Sequence, residues 1–442
     1  MTYQETLEFM YAQLPMYHRV GAAAYKADIQ PTIDMMNALG NPERRFPSIH
    51  VAGTNGKGSV SHFLASILQE AGYVVGLYTS PHLVDFRERI RINGEMISQE
   101  AVVDFISRTV QQQADNPAFQ GLSFFELTVG MAFDYFAKEQ VDIAVVEVGM
   151  GGRLDSTNVI TPQLSIITNI GLDHTQFLGD TLEKIAAEKA GIIKPGVPVV
   201  IGESQPETAQ VFRRVSAECN APLLFADRHY KVSEVEPEEP CDSPDSVTYS
   251  VQHITGKKTF TLQSQLSGSY QQKNLATVLS AVDELRKHTV FDIQPEELSR
   301  GIARVVSNTH LQGRWQTIGT APLTICETAH NEPGIRAMAS KLSGMTYGRL
   351  HLVYGCVNDK DYRHILQLLS EQMNTPCWYF SQPSVPRRLP VEELQAAAAA
   401  MGIEGQAYAD VKQAIEAARA AAAPNDLVLV TGSIFLVADA LA

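Results

Sequence analysis

The sequence predicts an α/β protein in which a P-loop-type, mostly parallel sheet domain is followed by a smaller Rossmann-like α/β domain. Three observations carry this expectation. Short β-branched runs alternate with longer helical patterns from residue 48 onward, a glycine-rich loop directly follows the first of those runs, and the alternation resumes after a polar run at Ser307–Gly313. At 442 residues the chain also exceeds what one hydrophobic core usually serves.

Taken in order, the expected strands of the first domain (1–306) are Ser48–Ala52, Val74–Tyr78, Asp142–Val148, Leu164–Asn169 and Val197–Ile201. Helices Ser59–Ala71, Phe125–Glu139 and Thr181–Ile192 lie between them, each long enough to cross over a parallel sheet. The acidic, proline-bearing stretch Glu234–Asp245 reads as an exposed loop, and Val247–Ser264, with Thr255-Gly256 at its centre, as a β-hairpin. Helices Gln271–Lys287 and Pro295–Val305 follow, then a linker at 307–313. In the second domain (314–442), strands are expected at Leu323–Cys326, Leu350–Tyr354, Trp378–Phe380 and Leu427–Val430, with alanine-rich surface helices at Leu394–Ala400 and Ala414–Ala423.

Composition narrows the function. Acidic side chains outnumber basic ones 49 to 35, for a net charge of −14, which argues against nucleic acid or an anionic membrane surface as partner. Any polyanionic ligand must therefore be met by a local group of amides, lysines or metal ions. The five cysteines form no CxxC pair, no stretch approaches the roughly 18 apolar residues of a membrane span, and the N-terminus lacks the pattern of a secretory signal. A cytoplasmic protein acting on small molecules is the expectation.

The strongest local signal is Gly53-Thr54-Asn55-Gly56-Lys57-Gly58-Ser59, between a strand and a helix. Glycines let backbone N–H groups turn inward, the helix adds its positive end, and Lys57 adds a full charge, so Asn55, Gly56, Lys57, Gly58 and Ser59 are expected to cradle phosphates. The spacing departs from the strict Walker pattern, since a glycine separates the lysine from the serine. Ser80, Glu147 and His174 each follow an expected strand. Alone, each is most often a structural hydrogen-bonder, but loops at the carboxyl edge of a parallel sheet converge, so the three suit Mg²⁺ bound to phosphates. Lys189 sits in the helix after His174, where a lysine is usually solvated.

Together these stretches resemble the folylpolyglutamate synthase and dihydrofolate synthase branch of the Mur ligase family over nearly the whole chain. The carrying segments are GTNGKGS (53–59), TSPHLVDFRERIRING (79–94), SFFELT (123–128), EVGMGGRLDSTN (147–158), LDHTQFLGDTLEKIAAEKAGIIK (172–194), GRW (313–315), ETAHNEPGI (327–335) and DKD (359–361). The resemblance implies that the loop holds ATP, that Ser80, Glu147 and His174 bind Mg²⁺ (two ions), and that Lys189 is carbamylated and serves as an anionic oxygen ligand. It implies pterin binding by Ser123, Phe124, Phe125 and Glu126 and by Leu154, Asp155 and Ser156, with Phe124 stacking on the ring and Asp155 accepting its N–H groups. One of the two phenylalanines is expected to be core. Asn274 and Glu327 match nucleotide contacts, Arg314 an arginine that reaches the phosphates, and His330 and Ser433 positions that handle glutamate, although Ser433 also suits a helix cap. A monomer is implied as well.

Three departures from the family pattern stand out: Glu327 replaces an aspartate, Glu332 a proline, and Gln312 a proline. None touches the phosphate loop. The expected activity is ligation of L-glutamate to dihydropteroate or a folate through an acyl phosphate, with Lys57, Lys189, Arg314 and His330 as catalytic residues. Three other readings stay open here: a nucleotide-gated binding protein of the same fold, a sister ligase acting on a nucleotide sugar, and a P-loop kinase.

Overall fold

A computed structural model describes residues 1–14, 28–236, 246–256, 258–358 and 361–442. The expected loop from residue 237 on, Cys241, and the first two residues of the DKD segment lie outside them. The chain forms two compact units, the main body of one ending at Leu311 and the other beginning at Gln312.

The first unit is built on an eight-stranded sheet. Its strands are β1 (Ser48–Ala52), β2 (Val75–Tyr78), β3 (Ile90–Ile92), β4 (Glu95–Met96), β5 (Ile143–Glu147), β6 (Leu164–Ile167), β7 (Val199–Ile201) and β8 (Leu223–Phe225), in the order β4-β3-β2-β5-β1-β6-β7-β8. The run from β2 to β8 is parallel, and β3 and β4 add antiparallel pairs at one edge. Register decides where the chemistry collects. Val51 lies beside Glu147 and Ala52 beside Ile167, so the segments leaving β1, β5 and β6 emerge together at one edge of the sheet.

The helix that follows β1, Lys57–Glu70, is buried continuously from Ser59 to Leu68 because it packs under the sheet and against the helices Ser269–His288 and Pro295–Ala303. Two of its buried polar side chains are paired inside: Ser66 Oγ donates to Gly301 O at 2.7 Å, and His62 Nδ1 meets Thr309 Oγ1 at 2.8 Å. The opposite face of the sheet is covered by an aromatic cluster around the helix Phe124–Lys138. An antiparallel sheet, β9 (Tyr230–Val235), β10 (Val247–His253) and β11 (Thr259–Ser264), contains the expected hairpin and takes Glu234 and Val235 into a strand rather than a loop.

The polar run expected as a linker starts as helix, Val305–Thr309. Its polarity serves packing: Asn308 Nδ2 donates to Ser66 Oγ and Glu70 Oε1, both at 3.0 Å, and Thr309 holds His62. The second unit has a six-stranded sheet, order β12-β13-β17-β14-β15-β16, made of β12 (Gln316–Thr320), β13 (Leu323–Cys326), β14 (Leu350–Tyr354), β15 (Cys377–Phe380), β16 (Gly405–Ala407) and β17 (Leu427–Thr431). All pairs are parallel except β12 with β13. Its carboxyl edge carries Glu327 after β13 and Ser433 after β17, side by side because Cys326 pairs with Val430.

Candidate active site

The loop between β1 and the helix Lys57–Glu70 is pinned from the side of β6. Asn169 O accepts from Thr54 N at 3.0 Å, Asn169 Oδ1 accepts from Asn55 N at 2.9 Å, and Thr168 Oγ1 donates to Asn55 O at 2.5 Å. Two glycines are obligatory. Gly53 (φ +147°) and Gly56 (φ +83°) have left-handed backbones, and a Cβ on them would strike Thr168 Oγ1 and Asn274 Oδ1 respectively. Gly56 caps the helix, whose first turn directs the amides of Lys57 and Gly58 outward. Lys57 Nζ donates to Gly53 O at 3.1 Å and Thr54 O at 3.2 Å.

Ser59 and Asn274 are joined through a residue that local motifs did not mark. Gln271, fully buried, donates from Nε2 to Ser59 Oγ at 3.2 Å and accepts from Asn274 Nδ2 at 2.9 Å. Thr168, Asn169 and Gln271 carried one usable signal, a polar residue placed directly after an apolar strand or on the buried face of a helix.

Lys189, far from the loop in sequence, is 4% exposed and donates from Nζ to Gly53 O at 2.9 Å. Its helix is packed beside the glycine-rich turn: a Cβ on Gly152 would lie 2.8–3.0 Å from the backbone of Glu188 and Lys189. Burial, with the charge of Lys57 second, pushes its pKa down from 10.5 to about 7. Glu147 is buried at the end of β5, and its Oε2 accepts from Ser80 N at 3.1 Å; a Cβ on Gly58 would be 3.8 Å from both its carboxylate oxygens. The structure thus brings Ser80, Glu147 and the phosphate loop together. His174 (φ +50°) precedes the short helix Thr175–Leu178, and its Nε2 lies 3.9 Å from Asp173 Oδ1.

The segments expected to bind the pterin divide differently from expectation. Phe124 is 2% exposed: its ring stacks on Tyr11 at 5.8 Å, meets Phe86 edge-on, and has the Arg89 guanidinium 5.3 Å above it. It is a core residue, not a platform for a ligand ring. Phe125, one position round the helix, is half-buried, meets Tyr78 edge-on and lies against Gly149. Ser123 and Glu126 form a reciprocal capping box, Glu126 N to Ser123 Oγ at 3.2 Å and Ser123 N to Glu126 Oε2 at 2.5 Å. Leu154 is half-buried, and Ser156 opens the turn Ser156–Val159. Asp155 is buried and accepts from Met150 N at 2.9 Å and from Thr157 N and Oγ1 at 3.0 and 2.5 Å. Burial raises its pKa, opposed by those donors.

In the second unit, Glu327 is buried, accepts from Trp315 N at 3.0 Å and lies 3.9 Å from Arg314 Nη1. It serves both residues through one carboxylate. His330 Nδ1 is 2.9 Å from Thr328 O, which places the proton on Nδ1 and makes Nε2 the basic nitrogen. Ser433 is the N-cap of the helix Ile434–Leu441, its hydroxyl accepting from Leu436 N at 3.0 Å, as the capping alternative anticipated. Glu332, at the first position of the helix Glu332–Ser343, bonds His364 Nε2 and Arg336 Nε, both at 2.9 Å.

Residues 51–282 match the Mur ligase middle domain, and residues 313–434 match the Mur ligase, glutamate ligase domain. The chain is 33% identical to the folylpolyglutamate synthase of Lacticaseibacillus casei, over 99% of this chain and 97% of that one. It is also 33% identical to the dihydrofolate synthase/folylpolyglutamate synthase of Bacillus subtilis, over 99% and 98%. Among solved structures it is similar to Escherichia coli FolC in complex with DHPP and ADP, with a TM-score of 0.83 at 28% identity over 100% of this chain and 97% of that one. An FPGS-AMPPCP-folate complex has a TM-score of 0.79 at 32% identity, over 100% and 98%.

Proposed function

The chain belongs to the folylpolyglutamate synthase and dihydrofolate synthase family of Mur ligases, and from that premise we propose how its own residues carry out the reaction. The enzyme is an ATP-dependent amide-forming ligase that attaches L-glutamate to a pteroyl or folyl carboxylic acid. A carboxylate does not condense with an amine at neutral pH, because oxide would have to leave. Transfer of the γ-phosphoryl group of ATP to the carboxylate gives an acyl phosphate and ADP; attack by the amine of glutamate then forms the amide and releases phosphate.

One observation supports the residue assignments above all. Lys57 and Lys189 approach the same carbonyl at the mouth of the phosphate loop. In our reading Lys57 exchanges its carbonyl partners for the phosphates, whose oxygens also meet the amides at the start of the Lys57–Glu70 helix. The Glu147 carboxylate beside Gly58 and the hydroxyl of Ser80, whose backbone N–H it holds, are hard oxygen donors that suit Mg²⁺, and we assign the ion to them with His174. An ion held by these residues would supply positive charge to offset that of the phosphates. Lys189 fits carbamylation, since a buried amine with its pKa near 7 is about half neutral at neutral pH and neutral amines take up carbon dioxide. Its carbamate would add an anionic oxygen ligand at the same place.

Asn274 is assigned to the nucleotide, Arg314 to phosphate with Glu327 orienting it, and Phe125, Leu154, Asp155 and Ser156 to the pteroyl group. Ser123 and Glu126 shape the start of the helix that presents Phe125, and His330 is assigned to glutamate. Ser433 is assigned there through the helix it caps. We further assign the enzyme to the cytoplasm as a monomer; the thiols Cys219, Cys326, Cys356 and Cys377, outside any disulfide, suit a reducing compartment, and no described helix is long and apolar enough to cross a membrane.

The decisive experiment measures phosphate release from ATP with dihydropteroate, tetrahydrofolate or neither, each with and without glutamate. Release that requires both a pteroyl acid and glutamate is expected. Release that needs an acid but no amine, or neither, would overturn the ligase assignment.

A further inference from the structure

His50 lies inside β1, fully buried, at a position where an apolar side chain would leave no polar atom unpaired. Burial, with Lys194 second, pushes its pKa down to about 3, so the imidazole is neutral and has a single N–H. Its partners locate that proton. Nδ1 is buried with no partner among the described residues, whereas Nε2 is 2.9 Å from the hydroxyl of Thr157.

The hydroxyl of Thr157 in turn lies 2.5 Å from Asp155 Oδ1. Both oxygens of Asp155 already accept backbone N–H groups, from Thr157 and Met150. The Thr157 proton therefore points at the carboxylate, and its lone pair receives the His50 Nε2–H. Thr157 supplies two donors to Oδ1 and Met150 one to Oδ2, and the Gly149 backbone adds a further hydrogen bond to the carboxylate, so its orientation is set from several sides.

We propose that His50 is a positioning residue for the pteroyl substrate: its N–H orients Thr157, and Thr157 fixes the rotation of the Asp155 carboxylate in which it meets the N–H edge of the pterin. The inference rests on the assignment of Asp155 to that substrate. The loop backbone has its own anchors: Lys194 Nζ donates to Asn158 O at 2.9 Å, and Asn158 Nδ2 donates to Arg153 O and Gly191 O at 3.1 and 3.0 Å. Removing the His50 donor thus releases the Thr157 hydroxyl and weakens its grip on the carboxylate while the loop backbone stays in place.

The test compares His50→Leu, His50→Gln, Thr157→Val and Asp155→Asn in the full-length enzyme, with KM measured separately for the pteroyl acid, ATP and glutamate. His50→Leu and Thr157→Val are expected to raise the pteroyl KM about tenfold, the scale of one charge-assisted hydrogen bond, and to leave the other two KM values unchanged. The double variant should be no worse than either single one, and His50→Gln, which keeps a donor near Nε2, should recover most of the loss. If His50→Leu does not fold, the nearly isosteric Thr157→Val carries the test. An unchanged pteroyl KM in folded Thr157→Val, or an equal rise in all three KM values, overturns the relay. Should Asp155→Asn raise the pteroyl KM while the other variants do not, the relay alone falls; should Asp155→Asn have no effect, the substrate assignment falls and takes the relay with it.

Discussion

Lys57 and Lys189 direct their side-chain nitrogens to one acceptor, the carbonyl oxygen of Gly53, at 3.1 and 2.9 Å. Burial strips water from the amine of Lys189 and the like charge of Lys57 adds to the effect, so its pKa is brought to about 7. The relationship links the phosphate loop to the ligand proposed at Lys189, because whatever draws Lys57 away changes the field at its neighbour.

Lys57→Met should lower kcat by about 10²- to 10³-fold, the range for removing one preorganised electrostatic stabiliser, with little change in fold stability because its bonds among the described residues are to loop carbonyls. Steady-state kinetics alongside a thermal melt check this. A variant with wild-type kcat would show that the loop does not carry phosphate chemistry.

Lys189→Ala should abolish turnover and regain part of it when small carboxylates such as acetate or formate are added, since they replace the anionic oxygen of a carbamate. Full activity in the unsupplemented variant would refute the carbamate role.

The same lysine predicts a pH dependence of folding. Its folded pKa, about 7, lies below its unfolded value near 10.5, so above pH 7 the unfolded chain holds a proton that the folded one does not. Stability from this group therefore rises with pH between those values, by up to about 1.4 kcal/mol per unit, and is flat below pH 7. Urea denaturation of the metal-free enzyme at pH 6.5 to 9, with carbon dioxide excluded, should show this slope, and Lys189→Met should remove it.

Phe124 and Phe125 separate packing from binding. Phe124→Ala empties a ring site between Tyr11, Phe86 and Arg89 and should cost about 3–5 kcal/mol of stability. Phe125→Ala should cost much less and instead raise the KM for the pteroyl acid. Urea denaturation and KM measured on both variants decide; the opposite pattern would restore Phe124 as the substrate platform.

The phosphate loop was legible in the sequence because its parts are neighbours: a strand, glycines, a lysine and a helix start within a dozen residues. Strand-end positions such as Ser80 and Glu147 were legible for a related reason, since a parallel sheet gathers its carboxyl ends at one edge. Side-chain pairs across long separations were not. Gln271 reaches Ser59 over 212 positions and Asn169 reaches Asn55 over 114, and neither pair leaves a local pattern. Phe124 and Phe125 are equally aromatic; the rotation of one residue along a helix decides which is core.

What the chain's residues settle on their own is the kind of chemistry available: a cradle for phosphate, carboxylates and an imidazole at strand ends, and two α/β layers to hold them. Folding alone decides that Lys189, a lysine beside a glutamate on a helix, gives up about half its charge at neutral pH. That outcome depends on the water stripped from the amine and on the cation beside it, and both are properties of packing across 136 residues of chain rather than of the Glu188-Lys189 pair.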